Sequence, residues 1–160
     1  MEWSLVERGI EASVVPVARE LGIGIVAYSP LARGLLGAAP LSHEQLKATN
    51  DRRLNLPRFA ADTLGGNAAK AAALSAIAAR AGCTAAQLSL AWLLRQGADV
   101  FPIPGTKTIA RVEENWGALA VAERLTAAEL AEVEALRLSE QIEGARYGEG
   151  GMKYAFESRA

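Results

Sequence analysis

The chain has 160 residues, of which 51% are apolar and 22% charged, and its net charge is −1. A nearly neutral chain has no electrostatic attraction for nucleic acid, and no apolar run approaches the roughly 18 residues of a membrane span. The single cysteine, Cys83, and the single histidine, His43, provide neither a disulfide nor a metal site. Because Met1 opens without the pattern of a signal peptide, we expect a soluble cytoplasmic protein.

The first elements alternate between strand and helix. Residues 2–5 are predicted to form a short strand, residues 10–21 a helix with Pro16 near its first turns, and residues 23–28 a second strand. Such alternation is typical of parallel strands that are joined by helices.

The end of the second strand is a candidate ligand site. The run from Gly22 to Tyr28 is nearly continuously apolar, as in a strand buried on both faces. It stops at Tyr28, and Ser29, Pro30 and Arg33 follow, at the position where parallel α/β folds place ligands. An ordinary strand end followed by a turn is the alternative interpretation.

A long connection covers residues 29–64. Ser42 and Gln45 have the spacing of a capping box and predict a short helix within it. Connections of this length inside a compact domain are usually functional or disordered.

The next two elements are predicted to be helices. The first covers residues 67–81 and stops at Gly82. The second covers residues 85–96 after a capping box formed by Thr84 and Gln87, and it is apolar almost all round, which predicts burial.

The last third of the chain is predicted to hold a strand over residues 100–103 and a helix over residues 109–119. A further capping box, Thr126 with Glu129, predicts a final helix that runs to about residue 138.

The turn between that strand and its helix predicts an anion site. Gly105 lets the backbone come close to a ligand, and Thr106 and Thr108 can cap the helix or donate hydroxyl hydrogen bonds. Lys107 and Arg111 are four residues apart, so they share a helical face and suit a dianion such as phosphate. A Pro-Gly turn with two solvated cations is the alternative.

Six segments in this order resemble the aldo-keto reductases. They are MEWSLVER, ARELGIGIVAYSPLARG, PRF, TAAQLSLAWLLRQG, PIPGTK and VEENWGAL, and the resemblance runs from Met1 to about Tyr147. It is strongest to the bacterial and plant branch with YSPLxRG and IPGTK signatures. The resemblance implies an α/β fold, the (β/α)8 TIM barrel, which binds NADPH and transfers hydride to the carbonyl of an aldehyde or ketone.

The resemblance also implies that the chain is only a part of such a barrel. A complete barrel needs roughly 250 residues. The match corresponds to about strands 6 to 8 with their helices, the C-terminal portion, so we expect residues 1–160 to form one partial, cofactor-binding domain. The family's catalytic Tyr, Lys, Asp and His would then precede Met1. We therefore expect no catalytic residue in the chain, and His43 is interpreted as a residue in the first turn of a loop helix.

The resemblance assigns cofactor contacts to four groups of residues. They are Tyr28 at the nicotinamide; Ser29, Leu31 and Arg33 at the pyrophosphate; Gly105, Thr106, Lys107 and Arg111 at the adenosine 2′-phosphate; and Glu114 and Asn115 at the adenine edge. Two cations at that phosphate predict NADPH rather than NADH. Trp3 is expected in the core or at the barrel rim, with partial exposure beside the nicotinamide as an alternative.

The sequence is compatible with three functions. The chain is expected to be the cofactor half of a reductase, which meets a small aldehyde or ketone only in a complete barrel. A non-catalytic nucleotide-binding or interaction module and an inactive truncated gene product are the alternatives. An open parallel sheet exposes apolar edges, so aggregation or self-association is also expected.

Overall fold

The structure is a computed structural model that describes residues 1–37 and 41–155. In these ranges the strands are β1 (Ile25–Tyr28) and β2 (Val100–Ile103). The α-helices are α1 (Val14–Glu20), α2 (His43–Ala48), α3 (Leu64–Arg80), α4 (Ala85–Leu94), α5 (Ile109–Arg124), α6 (Ala127–Ala135), α7 (Leu138–Gln141) and α8 (Glu149–Met152). Single 3-10 turns lie at Ala32–Gly34, Arg52–Asn55 and Pro57–Phe59.

The strands β1 and β2 lie side by side and run parallel, with Val26 opposite Phe101. A parallel bridge between Glu2 and Tyr28 places the start of the chain on the other side of β1. Met1 reinforces this pairing, because its amino group donates to the Val26 carbonyl at 2.8 Å and its carbonyl accepts the Tyr28 N–H at 2.9 Å. The parallel strands that the sequence predicts are therefore present.

The predicted strand over residues 2–5 is wrong beyond Glu2. Ser4 turns the chain instead: its hydroxyl accepts the N–H groups of Val6 and Glu7, at 3.2 and 3.1 Å. The backbones of Ser4 and Glu7 also exchange two hydrogen bonds. A serine that bonds its own neighbouring backbone competes with a strand ladder, and here it ends the pairing.

The first helix is shorter than the pattern over residues 10–21 predicts. It begins at Val14, because the carbonyl of Ile10 accepts the N–H groups of both Val14 and Val15 and closes a turn before the helix. Pro16 lies in the first turn of α1, where its missing N–H removes no helical hydrogen bond.

The three predicted capping boxes are confirmed. They are Ser42 with Gln45 at α2, Thr84 with Gln87 at α4, and Thr126 with Glu129 at α6. In each, the hydroxyl accepts the N–H of the third helical residue, whose side chain accepts the N–H of the cap.

Two later helices end at other residues than predicted. Helix α5 continues beyond residue 119 to Arg124, since Val121 and Ala122 are buried and extend its packing face. Helix α6 stops at Ala135 rather than near residue 138, because Arg137 has a left-handed φ of 45° and separates α6 from α7.

Helix α4 forms the centre of the core. Leu88, Ala91, Trp92 and Leu93 are fully buried, in agreement with its apolar pattern, and α3 and α5 cover it from two sides. The Trp92 indole N–H donates to the Glu134 carboxylate at 2.7 Å. In the described ranges no single helix is long and apolar enough to span a membrane; α3 and α4 reach that length only together, across an 84° bend.

The two faces of the sheet differ in burial. Ile25 and Ala27 point into the helical layer and are buried. On the opposite face Val26, Phe101 and Ile103 are 51%, 54% and 53% exposed. The burial on both faces that the run from Gly22 to Tyr28 predicts is therefore wrong, because one apolar face of the sheet is uncovered, as expected of a sheet that does not close.

Candidate functional site

A cavity of about 580 Å³ lies at the carboxyl ends of β1 and β2. The turn after β1, residues 28–34 and here called the β1 turn, forms one wall. The turn after β2 together with the first turns of α5, residues 104–115 and here called the β2 turn, forms another. The last residue of β2, residues of the long connection and one residue of α4 complete the lining, which consists of Ser29, Pro30, Leu31, Arg33, Gly34, Gly37, Leu41, Arg53, Ala86, Ile103, Pro104, Gly105, Arg111, Glu114 and Asn115.

The cavity brings together most of the residues that the sequence singles out. Those that line it are Ser29, Leu31, Arg33, Gly105, Arg111, Glu114 and Asn115. Tyr28, Thr106 and Lys107 lie outside its lining. The two turns are about 75 residues apart in the chain, and the parallel pairing of β1 with β2 puts both turns at one edge of the sheet.

The β1 turn has an unusual backbone. Ser29, Ala32 and Arg33 all have left-handed φ values, of 48°, 48° and 55°. Each such residue costs roughly 1 to 3 kcal/mol, so the surrounding structure must hold the turn in place. The Ala32 N–H donates to the Ser29 carbonyl at 2.8 Å and the Gly34 N–H to the Leu31 carbonyl at 2.9 Å. Backbone strain of this kind is concentrated at ligand sites in proteins.

The Arg33 guanidinium is occupied within the fold. It forms an ion pair with the Glu2 carboxylate at 3.2 Å and donates to the Arg146 carbonyl at 3.2 Å. It also lies 4.6 Å from the centre of the Tyr147 ring. Glu2 is 1% exposed, and burial raises the pKa of its carboxyl, while the charges of Arg33 and Arg146 oppose that rise. Arg33 therefore faces the cavity and compensates a buried carboxylate at the same time.

Tyr28 is half-buried at the end of β1. Its hydroxyl lies 3.2 Å from the hydroxyl of Tyr147, and the two share a hydrogen bond. Burial, followed by this hydrogen bond, raises the pKa of Tyr28 to about 12. The phenol therefore stays protonated at neutral pH. Tyr147 has no motif around it in the sequence, so pattern alone could not assign it to the site.

Arg53 is a second cation that the sequence interpretation did not single out. It lines the cavity, pairs with the Asp51 carboxylate at 2.8 Å and donates to the Arg33 carbonyl at 2.8 Å. Hydrogen bonds from Arg53 lower the pKa of Asp51, and the charge of the nearby Lys107 adds to this. The only sequence signal was the length of the connection that carries Arg53. That signal indicated function for the segment but for no residue in it.

The β2 turn presents a helix N-terminus to the cavity. The Thr108 hydroxyl caps α5 by accepting the Arg111 N–H at 3.4 Å, and the Thr106 hydroxyl accepts the Thr108 N–H at 3.3 Å. Lys107 and Arg111 are exposed. A Cβ on Gly105 would meet no atom within 4 Å, so the backbone there is open to a ligand. This arrangement suits an anion, through the helix dipole and through fixed positive charge.

Trp3 lies outside the cavity lining. Its side chain is 1% exposed, and its indole N–H donates to the Glu11 carboxylate at 2.8 Å. The alternative that Trp3 is partly exposed is therefore wrong, because the turn at Ser4 folds the following residues over it. In the described ranges no group of three or more His, Cys, Asp or Glu residues could hold a metal ion.

The chain matches the aldo/keto reductase family over residues 1–138. It belongs to that family. The match covers both turns of the cavity and the helices behind them, so the site lies within the family domain.

The chain is also similar to solved structures of aldo-keto reductases. An aldo/keto reductase from Klebsiella pneumoniae, in complex with NADP and acetate, is 26% identical and has a TM-score of 0.57; the match covers 92% of this chain and 41% of that one. A Klebsiella pneumoniae aldo-keto reductase in complex with NADPH is 25% identical with a TM-score of 0.55, over 91% and 42% of the two chains. The glycerol dehydrogenase of Gluconobacter oxydans, 24% identical over 88% and 42%, has a TM-score of 0.71 and shows the fold alone. The chain spans about two-fifths of the length of these relatives.

Proposed function

We propose that this chain is the NADP(H)-binding, C-terminal part of an aldo/keto reductase that reduces an aldehyde or ketone. The observation that carries the proposal is the convergence of the β1 turn and the β2 turn on one cavity. The Klebsiella pneumoniae relatives, solved with NADP and with NADPH, support this choice of cofactor. The reductase activity belongs to the whole barrel, of which the chain corresponds to about strands 6 to 8.

The residues of the cavity fit the phosphates of such a cofactor. Gly105 and Arg111, with the N-terminus of α5, would hold the adenosine 2′-phosphate, because open backbone and a cation meet there. Lys107, which is exposed, and Thr106 would join them from outside the lining. Arg53 would add charge from the opposite wall.

The other assigned residues would orient the rest of the cofactor. Ser29, Leu31 and Arg33 would line the pyrophosphate, and Glu114 and Asn115 would contact the adenine edge. When bound, the cofactor supplies the hydride. Tyr28 would pack on the nicotinamide and set which face of the ring is open.

We further propose that the chain alone does not reduce carbonyl compounds. The resemblance implies a catalytic Tyr, Lys, Asp and His, and none of these four residue types lines the cavity in the described residues, so no general acid stands where a carbonyl could be reduced. Loss of general-acid catalysis costs about 10²- to 10⁴-fold. Purified chain should therefore show no sustained NADPH oxidation with 4-nitrobenzaldehyde or methylglyoxal. Oxidation that disappears in a Lys107→Ala, Arg111→Ala variant would contradict this.

Blocking the cavity tests the cofactor proposal directly. Gly105→Leu adds a side chain where no protein atom lies within 4 Å, so the fold should be kept while the cavity is filled. Gly65→Leu is the matched control, since Gly65 is exposed on α3 and has equally open surroundings. In a fluorescence titration of freshly purified chain, kept dilute to suppress association through the open sheet face, the wild-type chain and Gly65→Leu should bind NADPH and Gly105→Leu should not. NADPH binding that is equal in all three would overturn the proposed site.

The exposed sheet face supports a second candidate, a nucleotide-binding or interaction module without catalysis. Val26, Phe101 and Ile103 form an exposed apolar surface of the kind that binds other proteins.

We expect the isolated chain to aggregate, to pack loosely or to self-associate through this open sheet. Analytical ultracentrifugation with a hydrophobic dye and a thermal melt tests the expectation. A clean monomer that melts cooperatively and binds no dye would instead identify a self-sufficient domain.

A further inference from the structure

The segment of residues 142–147, here called the C-terminal strap, is fixed to the rest of the fold. The Asn67 side chain is fully buried; its amide donates to the Glu143 carbonyl at 2.9 Å and its oxygen accepts the Glu143 N–H at 2.8 Å. The Arg58 side chain donates to the Gly144 carbonyl at 3.1 Å. These bonds are made to the strap's backbone and fix its path.

Gly144 brings the strap close to the 3-10 turn that begins at Pro57. Its φ is +87°, and a Cβ there would lie 2.7 Å from the Pro57 carbonyl carbon. Only glycine fits this position, because a side chain would collide with backbone. At Gly144, three residues before Tyr147, the strap therefore packs against the backbone of the long connection.

The strap delivers Tyr147 to two residues of the β1 turn. The Tyr147 hydroxyl lies 3.2 Å from that of Tyr28, and its ring lies 4.6 Å from the Arg33 guanidinium. The neighbouring Arg146 carbonyl accepts a hydrogen bond from Arg33 at 3.2 Å. One aromatic side chain thus contacts the residue assigned to the nicotinamide and the cation assigned to the pyrophosphate.

We propose that Tyr147 is a positioning residue that orients Tyr28 and Arg33 for the bound nicotinamide cofactor. This inference rests on the proposed function. A free Arg or Tyr side chain must be ordered when a ligand binds, and that ordering weakens affinity. With the strap in place both side chains are already oriented, and Tyr147 itself need not touch the cofactor.

Cofactor affinity tests the proposal with two variants of graded severity. Tyr147→Phe removes the hydroxyl pair and keeps the ring beside Arg33, and Tyr147→Leu removes both contacts. NADPH titration of the 160-residue chain should show binding about three- to tenfold weaker for Tyr147→Phe and about ten- to 100-fold weaker for Tyr147→Leu. The control, Tyr154→Phe, changes a side chain that is 91% exposed and should bind within about twofold of wild type.

A second readout does not depend on the cofactor. The chain has three tyrosines, so a Tyr147→Phe, Tyr154→Phe variant leaves Tyr28 as the only phenol that absorbs at 295 nm on ionisation. Glu2 and Arg146, the charged groups that act on Tyr28, are unchanged in that variant. The hydrogen bond to Tyr147 contributes to the raised pKa of Tyr28. In the double variant, Tyr28 should therefore ionise at lower pH.

The outcomes separate this inference from the proposed function. Wild-type affinity in a folded Tyr147→Leu chain, checked by circular dichroism, would overturn the positioning role. Should wild-type chain bind no NADPH, the proposed function fails, and Tyr28 ionisation then decides whether Tyr147 orients it. A Tyr28 midpoint in the double variant that is no lower than the tyrosine titration of Tyr154→Phe would refute that link as well.

Discussion

The β1 turn and the β2 turn line the same cavity, but they are held in different ways. In the β1 turn, strained backbone, the buried Glu2 carboxylate and the ring of Tyr147 all fix Arg33. In the β2 turn, Lys107 and Arg111 are exposed, and neither forms an ion pair with any residue that the structure describes. The first wall is fixed by contacts within the fold. The second leaves its two cations exposed.

A pattern of residue types therefore does not show which cation is available to a ligand. Arg33 and Arg111 are both arginines beside a strand end, and both line the cavity. Arg33 is committed to compensating Glu2, since a buried carboxylate without a partner is strongly destabilising. We therefore expect substitutions in the β1 turn to act mainly on stability and those in the β2 turn mainly on cofactor affinity.

The largest effect should come from Glu2→Gln. It leaves Arg33 and Arg146 without their shared carboxylate, and breaking a buried pair costs about 3 kcal/mol or more. Urea unfolding of the chain measures the free energy of unfolding. Glu123→Gln, an exposed substitution on α5, is the control and should change it by less than about 0.5 kcal/mol. Equal effects of the two substitutions would mean that the β1 turn is not held by this cluster.

Removing both cations of the β2 turn should have the next largest effect. Lys107→Ala with Arg111→Ala should weaken NADPH binding by about 2 to 5 kcal/mol in a full-length or reconstituted barrel, since charge-assisted contacts are worth about 1.5 to 3 kcal/mol each. NADH binding and the free energy of unfolding should hardly change.

The matched control for that variant is Lys47→Ala with Arg52→Ala, which removes the same charge from exposed positions outside the cavity lining. It should leave NADPH affinity within about twofold of wild type once screening by salt is considered. Equal losses of NADPH and NADH affinity in the Lys107, Arg111 variant would show that these cations do not meet the 2′-phosphate.

Asp51→Asn should have the smallest effect and tests the link between the two walls. Asp51 forms an ion pair with Arg53, and Arg53 donates a hydrogen bond to the Arg33 carbonyl. The charge of Lys107 also lowers the pKa of Asp51. At pH 7 the substitution should destabilise the chain by about 1 kcal/mol, while the exposed control Asp62→Asn should not.

The pH dependence of that difference has a definite sign. The folded pKa of Asp51 lies below its ordinary value, so the stability contribution of Asp51 is complete above roughly pH 4, its unfolded pKa. It is lost as the pH falls through the lowered folded pKa. Urea melts of wild type and Asp51→Asn should therefore converge in acid. A gap that widens there would refute the Asp51–Arg53 contact as its cause.

Local rules were sufficient for much of the fold. The caps at Ser42, Thr84 and Thr126 are correct because a hydroxyl and the helical N–H groups nearest it lie within four residues. The strand Val100–Ile103 is also correct, since an apolar run between turn signals is a local pattern. The strand at residues 2–5 and the helix start at residue 10 failed. Both depend on a side chain or a carbonyl that bonds the backbone a few residues away.

The amino-acid sequence was enough to single out the two segments that line the cavity, through the apolar run ending at Tyr28, the Pro-Gly turn at Gly105 and the family resemblance. The contacts of each side chain in these segments follow from the tertiary structure. Arg33 is paired with Glu2, Tyr28 with Tyr147, and Arg53 enters the cavity, through contacts between residues 20 to 119 positions apart. Contacts at such separations depend on how the strands and the C-terminal strap pack, and no local pattern of residue types encodes them.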